Sequence, residues 1–158
     1  MGHFGVYSTD GFERHDEETV CAHHFSIGAS PVKVSEPVLE GLPFFRGKLI
    51  MSQKAVFPNR GILLKVIGRY VTAKVWVNGK AAGELLFDKS LDISPYAVQG
   101  ENEIRIEFTI GNRNLLGPFH FEGKEDGVSP GVFATCNLPK NKDGHPRYKF
   151  YRFYKEVL

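Results

Sequence analysis

The clearest pattern in the sequence is an alternation of apolar and polar residues over positions 103–110. The apolar positions are Ile104, Ile106, Phe108 and Ile110, and a charged or hydroxyl side chain lies between each two of them. Successive side chains of a β-strand point to opposite faces, so this pattern predicts a strand with one buried face and one face in solvent.

Short runs of apolar, β-branched and aromatic residues recur along most of the chain, with glycine, proline and asparagine between them. The other runs cover residues 44–51, 61–67, 70–77, 82–87, 128–135 and 148–157. Short strands at close intervals predict an all-β protein, built as an antiparallel β-sandwich of the jelly-roll kind.

One hairpin can be predicted from its turn. Asn78 and Gly79 both tolerate a positive φ, which a type I′ turn requires, and β-type residues flank them. Residues 71–87 are therefore predicted to form a hairpin, with Val75 and Val77 on one face and Trp76 on the other.

A loop is predicted between the hairpin and the strand at 104–110. The segment LDISPYAVQGEN, residues 91–102, contains Pro95 and Gly100, which interrupt regular structure. We expect at most one helical turn here and a crossing of the chain from one sheet to the other.

The chain is long enough for one domain, and its first part is less regular than the rest. Residues 1–41 include the charged cluster at 13–18 together with Pro31 and Pro37, and no apolar periodicity runs through them. We predict an irregular lead-in with a candidate first strand over residues 1–41, and a β-sandwich domain over residues 42–158.

Charge and hydropathy argue against two classes of partner. The 158 residues carry 20 Lys and Arg against 18 Asp and Glu, a formal charge of +2, and the cations form no run that could follow a phosphate backbone. No stretch approaches the roughly 20 apolar residues of a membrane span, and the start of the sequence lacks the regions of a signal peptide. We expect no nucleic-acid or membrane partner and leave the compartment open.

Cysteine and histidine do not form a metal-binding pattern. Cys21 and Cys136 share no spacing motif, so we expect free thiols. His23 and His24 lie near Cys21, but adjacent side chains on a strand point apart and would converge only at a bulge. We therefore expect no cofactor or metal; a structural calcium ion stays an open alternative that the sequence does not show.

Four segments follow one another in a fixed order over residues 42–122: LPFFRGKL, then ILLKVIGRYVTAKVWVNGKAAGELL, then LDISPYAVQGENEIRIEF, then GNRNLLGPFHF. This order resembles the galactose-binding-like jelly-roll domains attached to glycoside hydrolases, such as the sugar-binding domain of family 2 β-galactosidases and β-glucuronidases, and domains of α-L-rhamnosidase-like enzymes. The matching positions are Val75, Val77, Asn78, Gly79, Gly83, Asp92, Ile93, Gly100 and Asn102.

The resemblance implies a sandwich of about eight strands that serves a neighbouring catalytic barrel by packing on it or by presenting a loop to the sugar. The catalytic carboxylates of those enzymes belong to the other domain. In this sequence, Glu101, Glu103 and Glu107 fall on the predicted solvent side of a strand or at its entrance, so no pair suggests glycoside chemistry. The expected protein is a non-catalytic accessory domain, a part of a glycoside hydrolase and not an enzyme by itself.

The candidate residues for carbohydrate contact are polar or aromatic. Amide and guanidinium groups hydrogen-bond neighbouring hydroxyls, and aromatic faces stack on sugar rings. On this basis we select Trp76, Asn112, Arg113, Asn114 and His120. Structural roles compete for each of them: Arg113 could pair with an acidic residue of an adjoining domain, Leu115 and Leu116 could close the end of the sandwich, and a covered Trp76 would mark a contact between domains.

Two other functions remain open. An autonomous carbohydrate-binding, lectin-like module would bind sugar alone with millimolar to micromolar affinity, whereas a purely structural module would bind none. A small β-sandwich enzyme would need converging histidine or carboxylate groups, and no such set is visible in the sequence.

Overall fold

The computed structural model describes residues 3–16, 18–22, 24–58, 61–115, 147–154 and 156–157. In these ranges the regular elements are β-strands, every strand pair is antiparallel, and no α-helix occurs. The predicted all-β, antiparallel sandwich class is therefore confirmed. The predicted strand over residues 128–135 lies outside the described residues.

The described residues contain twelve strands, and the chain divides into two compact units. The strands are β1 (Phe4–Ser8), β2 (Glu13–Arg14), β3 (Glu18–Ala22), β4 (Phe25–Ala29), β5 (Gly47–Phe57), β6 (Leu63–Ile67), β7 (Thr72–Val77), β8 (Lys80–Leu85), β9 (Ser90–Asp92), β10 (Gly100–Ile110), β11 (Arg147–Tyr151) and β12 (Glu156–Val157). The first unit comprises Met1–Phe45 with Asn112–Arg152, and the second comprises Arg46–Gly111 with Phe153–Leu158.

The second unit is a sandwich of two sheets. Four strands lie in the order β5-β10-β7-β8, and three lie in the order β12-β6-β9. Buried side chains come from both sheets: Leu64, Val66, Ala73, Val75, Val77, Leu85, Ile104, Ile106, Phe108 and Ile110. The alternation that predicted a half-buried strand over 104–110 is thus confirmed, because its apolar positions all belong to this core.

The predicted hairpin is also confirmed. β7 and β8 pair, and between them Asn78 has φ 51° and Gly79 has φ 77°. A type I′ turn needs a positive φ at both central residues, and an asparagine followed by glycine accepts this at low cost. The register shifts between Val75 and Trp76, so a bulge lies beside the tryptophan.

The side chain of Asn102 holds the predicted crossing loop in place. It is 1% exposed, and its amide makes four hydrogen bonds. The oxygen accepts from Asn78 Nδ2 at 2.9 Å and from the Val98 N–H at 2.8 Å, while the nitrogen donates to the carbonyl oxygens of Val98 at 2.7 Å and Gly100 at 2.9 Å. One buried amide therefore joins the hairpin tip, the loop and the start of β10.

The loop begins at a second polar joint. The Asp92 carboxylate accepts hydrogen bonds from the backbone N–H of Ser94 at 2.9 Å and from its hydroxyl at 2.5 Å. The Ser94 Oγ in turn accepts from the Ile62 N–H at 2.7 Å. Because β9 belongs to one sheet and β10 to the other, the chain crosses between sheets after this joint, as the sequence predicted.

The first unit contains two small sheets and a cluster of aromatic rings. β1 pairs with β4, and the other sheet has the order β11-β3-β2. Around Phe150, the rings of Phe12, Phe25 and Phe44 lie with centroids 5.2 to 6.2 Å away, each close to the edge-to-face arrangement. Such ring pairs stabilise the unit by more than the burial of their apolar area alone, and the strands of this unit are short.

A buried arginine ties loops of the first unit to the end of β11. Arg152 Nη2 lies 2.8 Å from a carboxylate oxygen of Glu36, which also pairs with Arg14, and Arg152 Nη1 donates to the Asp16 carbonyl at 3.0 Å. Buried charges need such partners, because burying an unpaired ion in a low-dielectric interior costs on the order of several kcal/mol.

Two features of the structure differ from the expected pattern. Four strands lie within residues 1–41, where the sequence showed one candidate strand. The predicted domain boundaries, 1–41 and 42–158, stay a prediction. The run at 148–157 contains two strands, β11 and β12, which belong to different sheets. Strands of two to five residues are too short for an alternation to stand out.

The ring of Tyr7 lies against three glycines, Gly5, Gly28 and Gly41. A Cβ built on Gly41 would lie 2.7 Å from the ring, and on Gly28 it would lie 3.0 Å from it. The Tyr7 hydroxyl donates to the Ala29 carbonyl at 2.8 Å, which fixes the ring in that position. Glycine at position 41 is thus required by a close approach as well as by its φ of 102°.

We expect Asn102→Ala to lower the free energy of unfolding by about 2 to 4 kcal/mol, because a buried amide and its four hydrogen bonds are lost. Asn112→Ala is the matched control, since Asn112 is exposed, and it should change the value by less than about 0.5 kcal/mol. Urea denaturation followed by circular dichroism measures both. Equal effects of the two substitutions would contradict the structural role of the Asn102 amide.

A second comparison isolates the packing of Tyr7. Gly11 and Gly41 both have a positive φ, but nothing lies within 4 Å of a Cβ built on Gly11. We expect Gly41→Ala to cost about 1 to 3 kcal/mol more than Gly11→Ala, because only the former overlaps a ring. Denaturation midpoints give the difference, and Tyr7→Leu should reduce the excess cost of Gly41→Ala. If that excess does not depend on residue 7, the overlap is not its cause.

Candidate functional site

The segment Asn112 to Asn114 follows β10 and contains three of the five candidate residues. Asn112 and Arg113 are exposed, whereas Asn114 is 2% exposed. The Asn114 amide binds the backbone of Tyr151 on both sides: its nitrogen donates to the Tyr151 carbonyl at 2.7 Å, and its oxygen accepts from the Tyr151 N–H at 2.9 Å. Asn114 therefore anchors the segment on β11 while its two neighbours face solvent.

Arg113 lies over an aromatic ring. Its guanidinium carbon is 5.1 Å from the centroid of the Tyr151 ring, within the range of a cation–π contact. Lys149 lies 5.3 Å from the same centroid, and its ammonium is 3.2 Å from the Glu18 carboxylate. The ring and the Asn114 anchor thus place a planar cation at the surface of the first unit.

Trp76 belongs to the second unit, on the face of β7 opposite Val75 and Val77, as the alternation predicted. Its side chain is half-buried. Arg105 is its direct partner on β10, and the Arg105 guanidinium carbon lies 4.7 Å from the centroid of the Trp76 ring. The indole therefore forms part of the outer surface of the four-stranded sheet.

The structure brings Asn112, Arg113 and Asn114 together on one segment and places Trp76 in the other unit. His120 and Leu116 lie outside the described residues. Two further residues, Tyr151 and Arg105, contact the candidates and were not selected from the sequence. The register of β7 against β10 makes Arg105 a neighbour of Trp76, but no local signal links Arg113 to Tyr151, which lies 38 positions later.

Carboxylates of the same sheet surface are engaged in ion pairs. Glu107 Oε1 lies 2.8 Å from Lys48 Nζ, and Glu101 Oε1 lies 2.7 Å from Lys54 Nζ. The hydrogen bond from Lys48 is the largest of the effects that hold the pKa of Glu107 below its ordinary value. A general acid on a glycosidic bond needs the opposite, a pKa raised by burial.

The cysteine and histidine positions offer no metal centre in the described part of the chain, where no group of three or more potential ligands comes together. Cys21 is a free, buried thiol, and burial raises its pKa to about 12. His24 Nδ1 lies 3.0 Å from an Asp10 carboxylate oxygen at the surface. His23 and Cys136 lie outside the described residues.

Among the residues that the structure describes, we find no helix with the length and apolar character to cross a membrane.

No family model matches the sequence, and no curated protein matches it. Among solved structures, the chain is similar to a rhamnosidase from Novosphingobium sp. PP1Y, with 20% identity and a TM-score of 0.42 over 92% of this chain and 14% of that one. It is also similar to a β-glucuronidase from Bifidobacterium dentium, with 15% identity and a TM-score of 0.40 over 96% of this chain and 31% of that one.

A β-D-glucuronidase from Dictyoglomus thermophilum gives 16% identity and a TM-score of 0.36 over 82% of this chain and 24% of that one. The chain thus spans less than a third of the length of each of these three proteins.

We expect Lys48→Ala to raise the pKa of Glu107 toward its ordinary value, because the main hydrogen bond to that carboxylate is removed. A carboxyl whose pKa is lowered in the folded state stabilises the fold above the unfolded-state pKa, and this contribution is lost as the pH falls through the folded-state pKa. A carboxyl-carbon NMR titration reads the value. Lys54→Ala is the control, since Lys54 pairs with Glu101, and an equal shift of the Glu107 pKa in both variants would be inconsistent with the Lys48 contact.

Proposed function

We propose that this chain is a non-catalytic accessory domain of a glycoside hydrolase, a galactose-binding-like jelly roll that packs on an adjoining catalytic domain and contacts carbohydrate. The observation that carries the proposal is the structural role of the residues that match those domains. Asn78, Asp92, Gly100 and Asn102, which match those domains in order, are the residues whose hydrogen bonds join the hairpin, the crossing loop and β10.

A close approach accounts for another matching position. A Cβ built on Gly83 would lie 2.9 Å from Leu91 Cδ1, so a larger residue at this position would require the Leu91 side chain to shift. The resemblance therefore concerns positions that determine how the sandwich is joined. This supports a shared architecture more strongly than an asparagine–glycine turn alone, which many β proteins contain.

Exposed planar polar groups support the carbohydrate contact. Asn112 presents an amide and Arg113 a guanidinium, and both can hydrogen-bond neighbouring hydroxyls of a sugar. Asn114 serves by anchoring the segment, so that these groups are ordered before a ligand arrives and less conformational entropy is lost on binding. Trp76 offers a second contact, through an aromatic face beside a cation. His120 completes the proposed set.

Support for a partner domain comes from exposed apolar side chains in the second unit. Leu86 and Phe87, consecutive after β8, are 51% and 96% exposed. A fully exposed phenylalanine next to an exposed leucine favours contact with another surface, which would remove both from water. The non-catalytic assignment is supported by the ion pairs of Glu101 and Glu107, because carboxylates paired with exposed lysines suit a solvated role.

A titration of the chain tests the carbohydrate contact. The probes are the methyl glycosides of a neutral hexose, a 6-deoxyhexose and a hexuronic acid, and amide NMR shifts report binding at Asn112, with the indole N–H reporting at Trp76, the single tryptophan. We expect millimolar to micromolar affinity for one class. Arg113→Ala should weaken the binding read at Asn112 by about tenfold, the cost of losing a charged hydrogen bond.

Lys54→Ala provides the control, since Lys54 is also an exposed cation but lies opposite Glu103, seven residues before Ile110 on β10, and it should leave the affinity unchanged. No binding by any probe would refute the carbohydrate contact. Release of the aglycone from chromogenic glycosides by the purified chain would refute the non-catalytic role, and a reading frame without a glycoside hydrolase domain would refute the partner.

The alternative is an autonomous carbohydrate-binding, lectin-like module, favoured by the exposure of Asn112 and Arg113. The two functions predict different environments for the side chains of Leu86 and Phe87. An accessory domain buries them against its partner, whereas an autonomous module keeps them in solvent when it binds sugar.

A further inference from the structure

Among the strands that the structure describes, β5 is an outermost strand of the four-stranded sheet, and it is long for an edge. It contains eleven residues, and β10 is its hydrogen-bonded neighbour in the described part of the chain. The two strands pair over eleven consecutive residues without a register shift. A long, regular edge presents a row of backbone N–H and C=O groups to any strand that approaches it.

The usual protection of an edge is weak in β5. Proline is absent from the strand, and its two charged residues, Lys48 and Lys54, are paired with Glu107 at 2.8 Å and Glu101 at 2.7 Å on β10. Each lysine therefore has its carboxylate partner on its own sheet. The opposite edge, β8, has six residues and pairs with β7 through a bulge.

Exposed apolar residues lie on the same strand. Ile50 is 55% exposed and Val56 is 73% exposed, both on the outer face of the sheet. The inner face of β5, which includes Leu49, Met51 and Phe57, is only half-buried. An added strand would cover apolar side chains on both faces at once.

We propose that β5 pairs with β5 of a second copy of this chain, antiparallel about a two-fold axis at Gln53, to form one continuous eight-stranded sheet. This register places Ile50 opposite Val56 of the second copy on the outer face. On the inner face it places Leu49 opposite Phe57 and Met51 opposite Ala55, while the two Gln53 amides meet at the axis. Apolar residues therefore face apolar residues along most of the contact.

Charge selects this register from its neighbours. An axis at Met51 would set Lys48 directly opposite Lys54 of the second copy, and like charges opposite each other destabilise a strand pair. An axis at Ser52 would set Ile50 opposite Lys54, which leaves an apolar residue against a charge. Registers offset by an odd number of residues would turn inner side chains to the outer face. The dimer is independent of the proposed carbohydrate function.

Charge exchange on the exposed face tests the dimer. One variant carries Ile50→Lys with Val56→Lys, and the other carries Ile50→Glu with Val56→Glu; both sites are exposed, so each variant should fold. We expect the unmodified chain to dimerise in analytical ultracentrifugation. Each variant alone should dimerise at least about tenfold more weakly, and an equimolar mixture should regain a heterodimer, because opposite charges then face each other.

Cross-linking tests the register. In a Cys136→Ser background, Gln53→Cys should form an intermolecular disulfide under mild oxidation, since only a residue on the two-fold axis faces itself. Ser52→Cys is the control and should cross-link far more slowly. A monomeric chain at about 0.1 mM, a dimer unaffected by the charge variants, or faster cross-linking at position 52 would each overturn the proposal.

Discussion

The second unit depends on one buried amide. The buried amide of Asn102 makes four hydrogen bonds to backbone and side-chain groups, and these groups belong to the hairpin tip, the crossing loop and the start of β10. A purely apolar side chain could fill the same space but would make none of these hydrogen bonds, each of which contributes about 0.5 to 1.5 kcal/mol. The sandwich is thus held by apolar burial across its sheets and by this amide at the end where the chain crosses.

The two units are stabilised in different ways. In the second unit, the eleven-residue strand β10 buries an alternating row of apolar side chains. In the first unit the strands are two to five residues long, and edge-to-face rings around Phe150, a buried arginine and the close packing of Tyr7 on glycine take the place of a long ladder. Because the strands of the first unit are short and its contacts join residues far apart in sequence, its elements leave little periodic signal in the sequence.

Local patterns predicted the elements whose cause is local. The alternation at 104–110 gave β10, and the asparagine–glycine pair gave the turn between β7 and β8. The reach of Asn102 was not predictable, because its partners depend on how the loop folds back. The pairing of Arg113 with Tyr151 and of Arg14 and Arg152 with Glu36 joins residues far apart in sequence, for which single-sequence patterns carry no signal. Among the candidate residues, Asn112 and Arg113 are exposed and Trp76 is half-buried, whereas the amide of Asn114 is hydrogen-bonded to the Tyr151 backbone.

The hydrogen bonds of Asn78 have a chemical consequence. An asparagine followed by glycine ages by deamidation, in which the next backbone nitrogen attacks the side-chain carbonyl carbon to form a cyclic imide. Here the Asn78 side chain is held by Tyr96, Asn102 and the Glu103 N–H, so the carbonyl carbon cannot turn toward the Gly79 nitrogen. The folded state therefore protects this residue from a reaction to which the unfolded chain is open. Once the reaction occurs, it sets an acidic group beside the Asn102 oxygen, so that damage and loss of structure reinforce each other.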